Sequence, residues 1–302
     1  MKRKKIIIAG ANGFLGKLLV GYFSNNGHQV LALVRNETTI PGCKVLLWDG
    51  KNIGEWAKEF NHADVLINMA GKSVDCRYTK ANKEGILNSR IESTLALGAA
   101  CVMADAPPEL WINASSATIY ESNTNLPFGE DGTLGNNFSE QVCKEWEKTF
   151  NEIPLPGTRK VGLRLAMVFG DEGGVFQVLK QLVKVGLGGR MGDGGQFVSW
   201  IHQHDFLRSL EFIMKSRVEG TINVCAPTPE KNEQMMRILR DLLSKKIGIH
   251  ADEWMLEIGA FVLRTETELV LKSRNVIPKK LQQLGFSFRY PNMDKALLNL
   301  VS

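Results

Sequence analysis

The chain has 302 residues, of which 44% are hydrophobic and 23% charged, and its formal net charge is +5. These values exclude a disordered chain and argue against a nucleic-acid binder, whose basic surface is usually far denser; the mild excess suits an anionic ligand such as a nucleotide. No apolar run approaches the ~20 residues that a membrane helix needs, and Ile6-Ile7-Ile8-Ala9 is too short for a signal segment, so no membrane association is expected and the expected location is cytoplasmic.

The five cysteines, Cys43, Cys76, Cys101, Cys143 and Cys225, are odd in number, scattered and free of any CxxC spacing. Free thiols in a reducing compartment are expected, with neither a disulfide framework nor a zinc site. Lys2-Arg3-Lys4-Lys5 reads as a solvated terminus.

In chain order, short β-branched runs alternate with helical patterns. Strands are predicted at Lys5–Ala9, Gln29–Val34, 44–48, 64–69, 110–114 and 160–168, several of them apolar throughout, as strands buried on both faces tend to be. Helices are predicted over 15–26, 53–60, 79–104 and 138–151. This alternation predicts a parallel, doubly wound sheet. Beyond Gly170 the pattern predicts a helix at Val175–Lys184, a glycine-rich loop over 186–195 and a strand at 197–201. A helix at 205–215, a strand at 221–224 and helices at 231–244 and 278–284 follow. The expected fold class is α/β, a Rossmann-like doubly wound parallel sheet with a small interleaved C-terminal substrate lobe. In that reading residues 1–170 form the dinucleotide-binding domain and 196–225 return to the sheet, while 171–195 and 226–302 make the lobe.

Gly10-Ala11-Asn12-Gly13-Phe14-Leu15-Gly16 follows the first strand and opens the first helix. A tight turn wants glycine there, a pyrophosphate needs close approach to the backbone, and the helix N-terminus favours its charge. The spacing therefore assigns cofactor contact to Gly10, Asn12, Gly13, Phe14, Leu15 and Gly16. An NAD site usually carries an acid at the end of the second strand; here the strand ends Leu33-Val34-Arg35-Asn36. A guanidinium at that place suits the 2′-phosphate of NADP(H), with a surface Arg35 and Glu37 as the ribose partner the competing reading. Asn68-Met69-Ala70-Gly71 and Ala114-Ser115-Ser116-Ala117 end two further strands and point Met69, Ala70, Gly71 and Ser115 at the same crevice.

With GANGFLG, INMAG and ASSATIY in this order, the chain resembles the extended short-chain dehydrogenase/reductase superfamily. More narrowly it resembles the atypical epimerase-family branch, whose members carry labels such as nucleoside-diphosphate-sugar epimerase or cell-division inhibitor-like protein. Further marks are Ser89-Arg90, Lys144-Glu145-Trp146-Glu147, Gly188-Gly189-Arg190-Met191-Gly192, Trp200-Ile201-His202 followed by Asp205, and Val276-Ile277-Pro278 before Gly285-Phe286. The resemblance implies NADP(H) binding near Gly10–Gly16, Arg35, Ala70 and Arg90. Relatives pair the helices corresponding to 79–104 and 138–151 in dimers, which leaves a homodimer open.

The resemblance also implies a catalytic serine, which falls on Ser116, and a YxxxK helix. With Glu147 as the anchor, the Tyr slot falls on Ser139 and the Lys slot on Cys143, and no YxxxK occurs anywhere. Tyr120 and His202 are the candidates to replace the missing acid/base, against loop packing for Tyr120 and lobe docking for His202, with Asp205 as a helix cap or hinge partner. Lys144 is about 100° round the helix from the Lys slot. Cys143 as a nucleophile competes with a packing role, and His202-Gln203-His204 lacks a third metal ligand. The glycine-rich loop is expected over the nicotinamide end. Two functions follow: an NADP(H)-dependent oxidoreductase or epimerase-like enzyme on a small polar, sugar-like substrate, or a non-catalytic NADP(H)-binding sensor.

Overall fold

The inner strands of the central sheet are short, largely apolar and packed on both faces. In β1 (Lys5–Ala9), Ile6, Ile7 and Ile8 have no exposed surface. Because successive side chains in a strand point to opposite faces, Ile6 and Ile8 join Leu19, Val20, Phe23, Phe206, Leu210 and Ile213. Ile7 and Ala9 join Phe60, Ala96, Leu97, Ala100, Trp111 and Phe150 on the other face. The computed structural model describes residues 2–122, 126–257 and 266–302.

The strands β2 (Gln29–Val34), β3 (Cys43–Leu47), β4 (Val65–Asn68), β5 (Leu110–Ser116), β6 (Arg159–Leu165) and β10 (Gly220–Val224) complete a seven-stranded parallel sheet. Its order is β10-β6-β5-β4-β1-β2-β3. The α1 (Phe14–Asn25) and α5 (Gln203–Lys215) helices cover the first face, and α2 (Lys80–Met103) and α3 (Phe138–Glu152) the second. The chain therefore has the expected Rossmann-like α/β fold, with the switch in strand order between β1 and β4.

The predicted strand at 160–168 is two strands. It breaks at Ala166, and β7 (Met167–Phe169) leaves the large sheet to pair with β9 (Trp200–His202). The predicted strand at 197–201 also divides: β8 (Phe197–Val198) pairs antiparallel with β11 (Glu230–Lys231). Ser199 sits at that break. Its hydroxyl donates to the Arg274 carbonyl at 2.6 Å and accepts from the Val276 amide at 2.9 Å, so the chain turns to serve a distant segment. Of the span 196–225, only β10 joins the seven-stranded sheet. Residues 53–60 form a 3-10 helix at Glu55–Phe60 rather than an α-helix.

A second core gathers Phe169, Phe176, Trp200, Met235, Met236 and Leu239 under α4 (Val175–Lys184), α6 (Asn232–Leu242) and a C-terminal helix at Met293–Val301. Its link to the sheet runs through Asp205. That fully buried carboxylate accepts from the amides of Arg289 and Tyr290 at 2.9 and 2.7 Å, which fits the hinge reading and leaves the capping of α5 to His202.

Candidate functional site

The C-terminal strand ends line up at the switch point. The register sets Ala9 beside Leu33 and beside Asn68, and Asn68 beside Asn113. Gly10, Arg35, Met69 to Gly71 and Ser115 therefore follow along one sheet edge, where open α/β sheets bind ligands.

The glycine loop is shaped by steric need. Gly10 has φ +75°, and a Cβ there would lie 2.7 Å from the Met69 carbonyl oxygen. A Cβ on Gly16 would lie 2.3 Å from the Gly10 carbonyl oxygen and 2.6 Å from the Ala11 Cα, so this glycine sets how closely α1 approaches the loop. At the cap of α1, Gly13 provides no side-chain hydrogen bond and the first turn carries no acid. Its first N–H groups are thus left for an anion, and the helix dipole favours one. A Cβ on Gly13 would meet nothing nearer than 3.4 Å, so the outer side of the turn is open. These residues fit a pyrophosphate.

Around this loop, Asn12 and Arg35 are exposed, and Leu15 is half-buried against the sheet core. Phe14 faces the chain after β7: a Cβ on Gly170, Gly173 or Gly174 would run into its ring. At the end of β4, buried Asn68 donates to Asn113 at 2.7 Å and accepts from the Ala70 amide at 3.0 Å, which fixes the turn at Met69–Ala70. Arg90 on α2 lies against Gly71. It donates to the carbonyls of Lys72 and Ile86 and rests 5.1 Å from the centre of the Trp146 ring.

Of the candidate catalytic residues, Ser116 is partly accessible and Tyr120 and His202 are enclosed. Ser116 is half-buried at the end of β5 and caps the 3-10 turn Ala117–Ile119, with its hydroxyl donating to Thr118 Oγ1 at 3.0 Å. Tyr120 has no exposed surface, which favours its reading as a packing residue of the loop. Its hydroxyl donates to Asn223 at 2.7 Å and accepts from Arg164 at 2.8 Å. Burial pushes the phenol up to about 12, above the range of an acid/base at neutral pH.

His202 is also fully buried, which favours its reading as a docking residue over that as an acid/base. Its Nδ1 accepts from the His204 amide at 3.1 Å, and its ring stacks on Tyr290 at 3.9 Å between centroids. Burial first, then His204, pushes the imidazole down to about 4. A native state that keeps this imidazole neutral binds fewer protons than the unfolded chain between about pH 4 and 6.5. Stability attributable to His202 is therefore intact above about pH 6.5 and lost as the pH falls toward 4. Chemical denaturation at several pH values is expected to show a loss of roughly 2–4 kcal/mol across that window, absent in His202→Asn. An equal loss in that variant assigns the acid sensitivity elsewhere.

Ser139 and Cys143, in the slots of the usual tyrosine and lysine, are half-buried and buried. Burial pushes the Cys143 thiol up to about 12, so it stays protonated and packs with Ile119, Tyr120, Cys225 and Val276 rather than acting as a nucleophile. The glycine-rich loop is hydrogen-bonded to 249–251 through Gly189, Arg190 and Gly192, and Met191 enters the second core.

Sequence reasoning missed the ion pair beneath this site. Arg164 on β6 donates from Nε and Nη2 to the two Glu147 oxygens on α3, both at 2.9 Å. The Ser115 hydroxyl donates to the same carboxylate at 2.7 Å, so it is committed to α3. An arginine inside the otherwise apolar run of β6 was the available signal. Among the described residues no group of three or more potential metal ligands gathers, and no helix is long and apolar enough to cross a membrane.

A seven-stranded Rossmann-type sheet with this glycine loop at its switch point defines a protein of the nucleotide-binding, short-chain dehydrogenase type. The chain belongs to the NAD dependent epimerase/dehydratase family, whose sequence profile matches residues 6–225; a domain of unknown function, DUF1731, matches residues 253–300. It is similar to the epimerase family protein SERP0438 of Staphylococcus epidermidis, 29% identical over 300 residues that cover 99% of each chain. Among solved structures it is similar to the human epimerase family protein SDR39U1 (isoform2) with NADPH, at TM-score 0.87 and 25% identity over 98% of both chains. It is also similar to a nucleoside-diphosphate sugar epimerase from Corynebacterium glutamicum, at TM-score 0.78 and 28% identity, covering 98% of this chain and 57% of that one.

Proposed function

We propose that the chain binds NADP(H) along the β1–β4 crevice and acts as an epimerase-like oxidoreductase on a small polar substrate. The observation that carries this reading is the glycine loop, with its clash-limited Gly10 and Gly16 and the uncapped start of α1 beside the end of β4. The human relative with bound NADPH supports the same cofactor. When bound, the nicotinamide supplies hydride transfer; the chain's own residues hold and orient it. Gly10 to Gly16 receive the pyrophosphate, Arg35 the 2′-phosphate, and Met69 to Gly71 the approach of the nucleotide to β4. Ser116 is the hydroxyl at the strand end where a substrate would sit. The proposed division follows the two cores: the sheet holds the cofactor, and 171–195 with 226–302 face the substrate.

Arg35 is exposed, so its charge is free to choose the cofactor. Arg35→Ala is expected to weaken NADPH by about 1.5–3 kcal/mol, or about ten- to a hundredfold, and NADH hardly at all. Nucleotide fluorescence titration reads both; parallel losses for the two nucleotides overturn the preference for NADP(H).

A second reading, a cofactor-binding sensor, has one observation in its favour. Both slots of the usual acid/base pair lack their residues, and Tyr120 and His202 are enclosed. Stereospecific exchange of label between NADPH and an added carbonyl compound separates the two. Exchange lost in Ser116→Ala supports the enzyme; NADPH binding without exchange supports the sensor.

A further inference from the structure

The slot that a lysine fills in ordinary relatives is surrounded here by positive charge from other elements. Arg90, Arg274 and Arg164 each favour the anionic form of the Cys143 thiol, against its burial and the Glu147 carboxylate. The packing agrees. Arg90 stacks on Trp146, three residues from Cys143 and on the same side of α3. Val276 packs against Cys143 in one buried cluster, and the Ser199 hydroxyl clamps Arg274 and Val276 to that place.

The three guanidiniums are not equally neutralised. Arg164 has the Glu147 carboxylate in a two-pronged pair. The nearby Lys272 ammonium is paired with buried Glu140 and lies 3.4 Å from Glu268. Arg90 has backbone carbonyls as its partners. Arg274 donates from Nη1 to the Ser273 carbonyl at 3.4 Å and reaches Glu268, a carboxylate it shares with Lys272, only at 3.9 Å; its Nε is buried without a hydrogen-bond partner among the described residues. The Tyr78 hydroxyl is likewise buried without a well-formed hydrogen bond, facing Ser139 in the vacated Tyr slot. A buried guanidinium with an idle donor is costly unless something negative completes it.

We propose that Arg274, with Arg90 and the Tyr78 hydroxyl, holds an anionic group of the substrate, a carboxylate or a phosphate, over Cys143 at the reacting end of the crevice. This rests on the crevice being a cofactor and substrate site, and it narrows the polar substrate to an acid. A guanidinium fork suits either oxyanion, because both offer paired oxygens. Positive charge at this point also stabilises negative charge that develops on a reacting oxygen.

The test uses the full chain. NADPH binding is measured first by fluorescence, so its failure overturns the cofactor reading separately. Inorganic phosphate and malonate are then titrated calorimetrically into NADPH-saturated protein at constant ionic strength in chloride, with the pyrophosphate site occupied. The wild type is expected to bind one of the two anions, tighter malonate pointing to a carboxylate and tighter phosphate to a phosphate. Arg274→Gln is expected to weaken that anion at least tenfold with its NADPH affinity kept, whereas Lys148→Gln, an exposed cation on the same helix, changes neither. Should Arg274→Gln fail to fold by circular dichroism, Arg274→Lys keeps the charge, loses the fork and is expected to bind at least threefold more weakly. Wild type that binds neither anion, or a folded Arg274 variant that binds as the wild type does, overturns the proposal.

Discussion

Gly16→Ala is expected to lower NADPH affinity by about a hundredfold, or about 2.7 kcal/mol, while the chain still folds. The single added carbon would lie 2.3 Å from the Gly10 carbonyl oxygen and 2.6 Å from the Ala11 Cα, and both are backbone. No flexible side chain is available to yield, so α1 must move away from the loop. That shift separates the helix N-terminus from the turn that receives the pyrophosphate. Gly16 is a cleaner probe than Gly10. At Gly10 a side chain meets a φ of +75° as well as a clash, so strain in the turn and loss of the site are mixed. Overpacking of this kind costs about 1–3 kcal/mol of folding stability, measurable by urea denaturation. Affinity within threefold of the wild type would mean that the cofactor does not use this loop.

The sheet was legible because its strands are nearly pure in type. Ile6, Ile7 and Ile8 read as buried on both faces and are so. The break at Ala166 was not legible, since neither glycine nor proline marks it. It exists because Met167 must reach Trp200, a partner that local sequence does not reveal. The same holds for Ser199, whose polar side chain looks ordinary until residues 274–276 arrive beside it. At the site, the glycine loop announced itself by spacing. For Tyr120 and His202 the residue types left two readings open, and burial favours the one in which Tyr120 completes a hydrogen-bonded network and His202 caps a helix. Arg274 was not legible because Cys143 lies far away in sequence and comes near it only in the folded chain, where Val276 packs against Cys143.

Removing one partner of the ion pair between Glu147 and Arg164 is expected to destabilise the region beneath the cofactor site strongly. Their side chains are only 13% and 8% exposed, so solvent screens them little. Burial alone would lower the Arg164 guanidinium, but the hydrogen-bonded Glu147 carboxylate more than offsets this and holds it above its usual range. Arg164→Met removes one charge and leaves Glu147 buried with Ser115 alone; Tyr120 loses a donor to its hydroxyl at the same time. Breaking a buried pair from one side typically costs about 3–5 kcal/mol, whereas replacing both partners by apolar groups costs far less. Arg164→Met is thus expected to lose about 3–5 kcal/mol in urea denaturation, and Arg164→Met with Glu147→Leu to recover at least half of that loss. Two single losses that simply add in the double variant would show that the charges contribute independently. Ser115 and Ser116 end the same strand, so the pair also bears on function. With Glu147 gone, the Ser115 hydroxyl loses its anchor, and β5 loses a polar tie to α3 at the strand end that carries Ser116. The double variant is therefore expected to recover stability more fully than Ser116-dependent exchange. That split would separate the pair's contribution to folding from its positioning of the strand end.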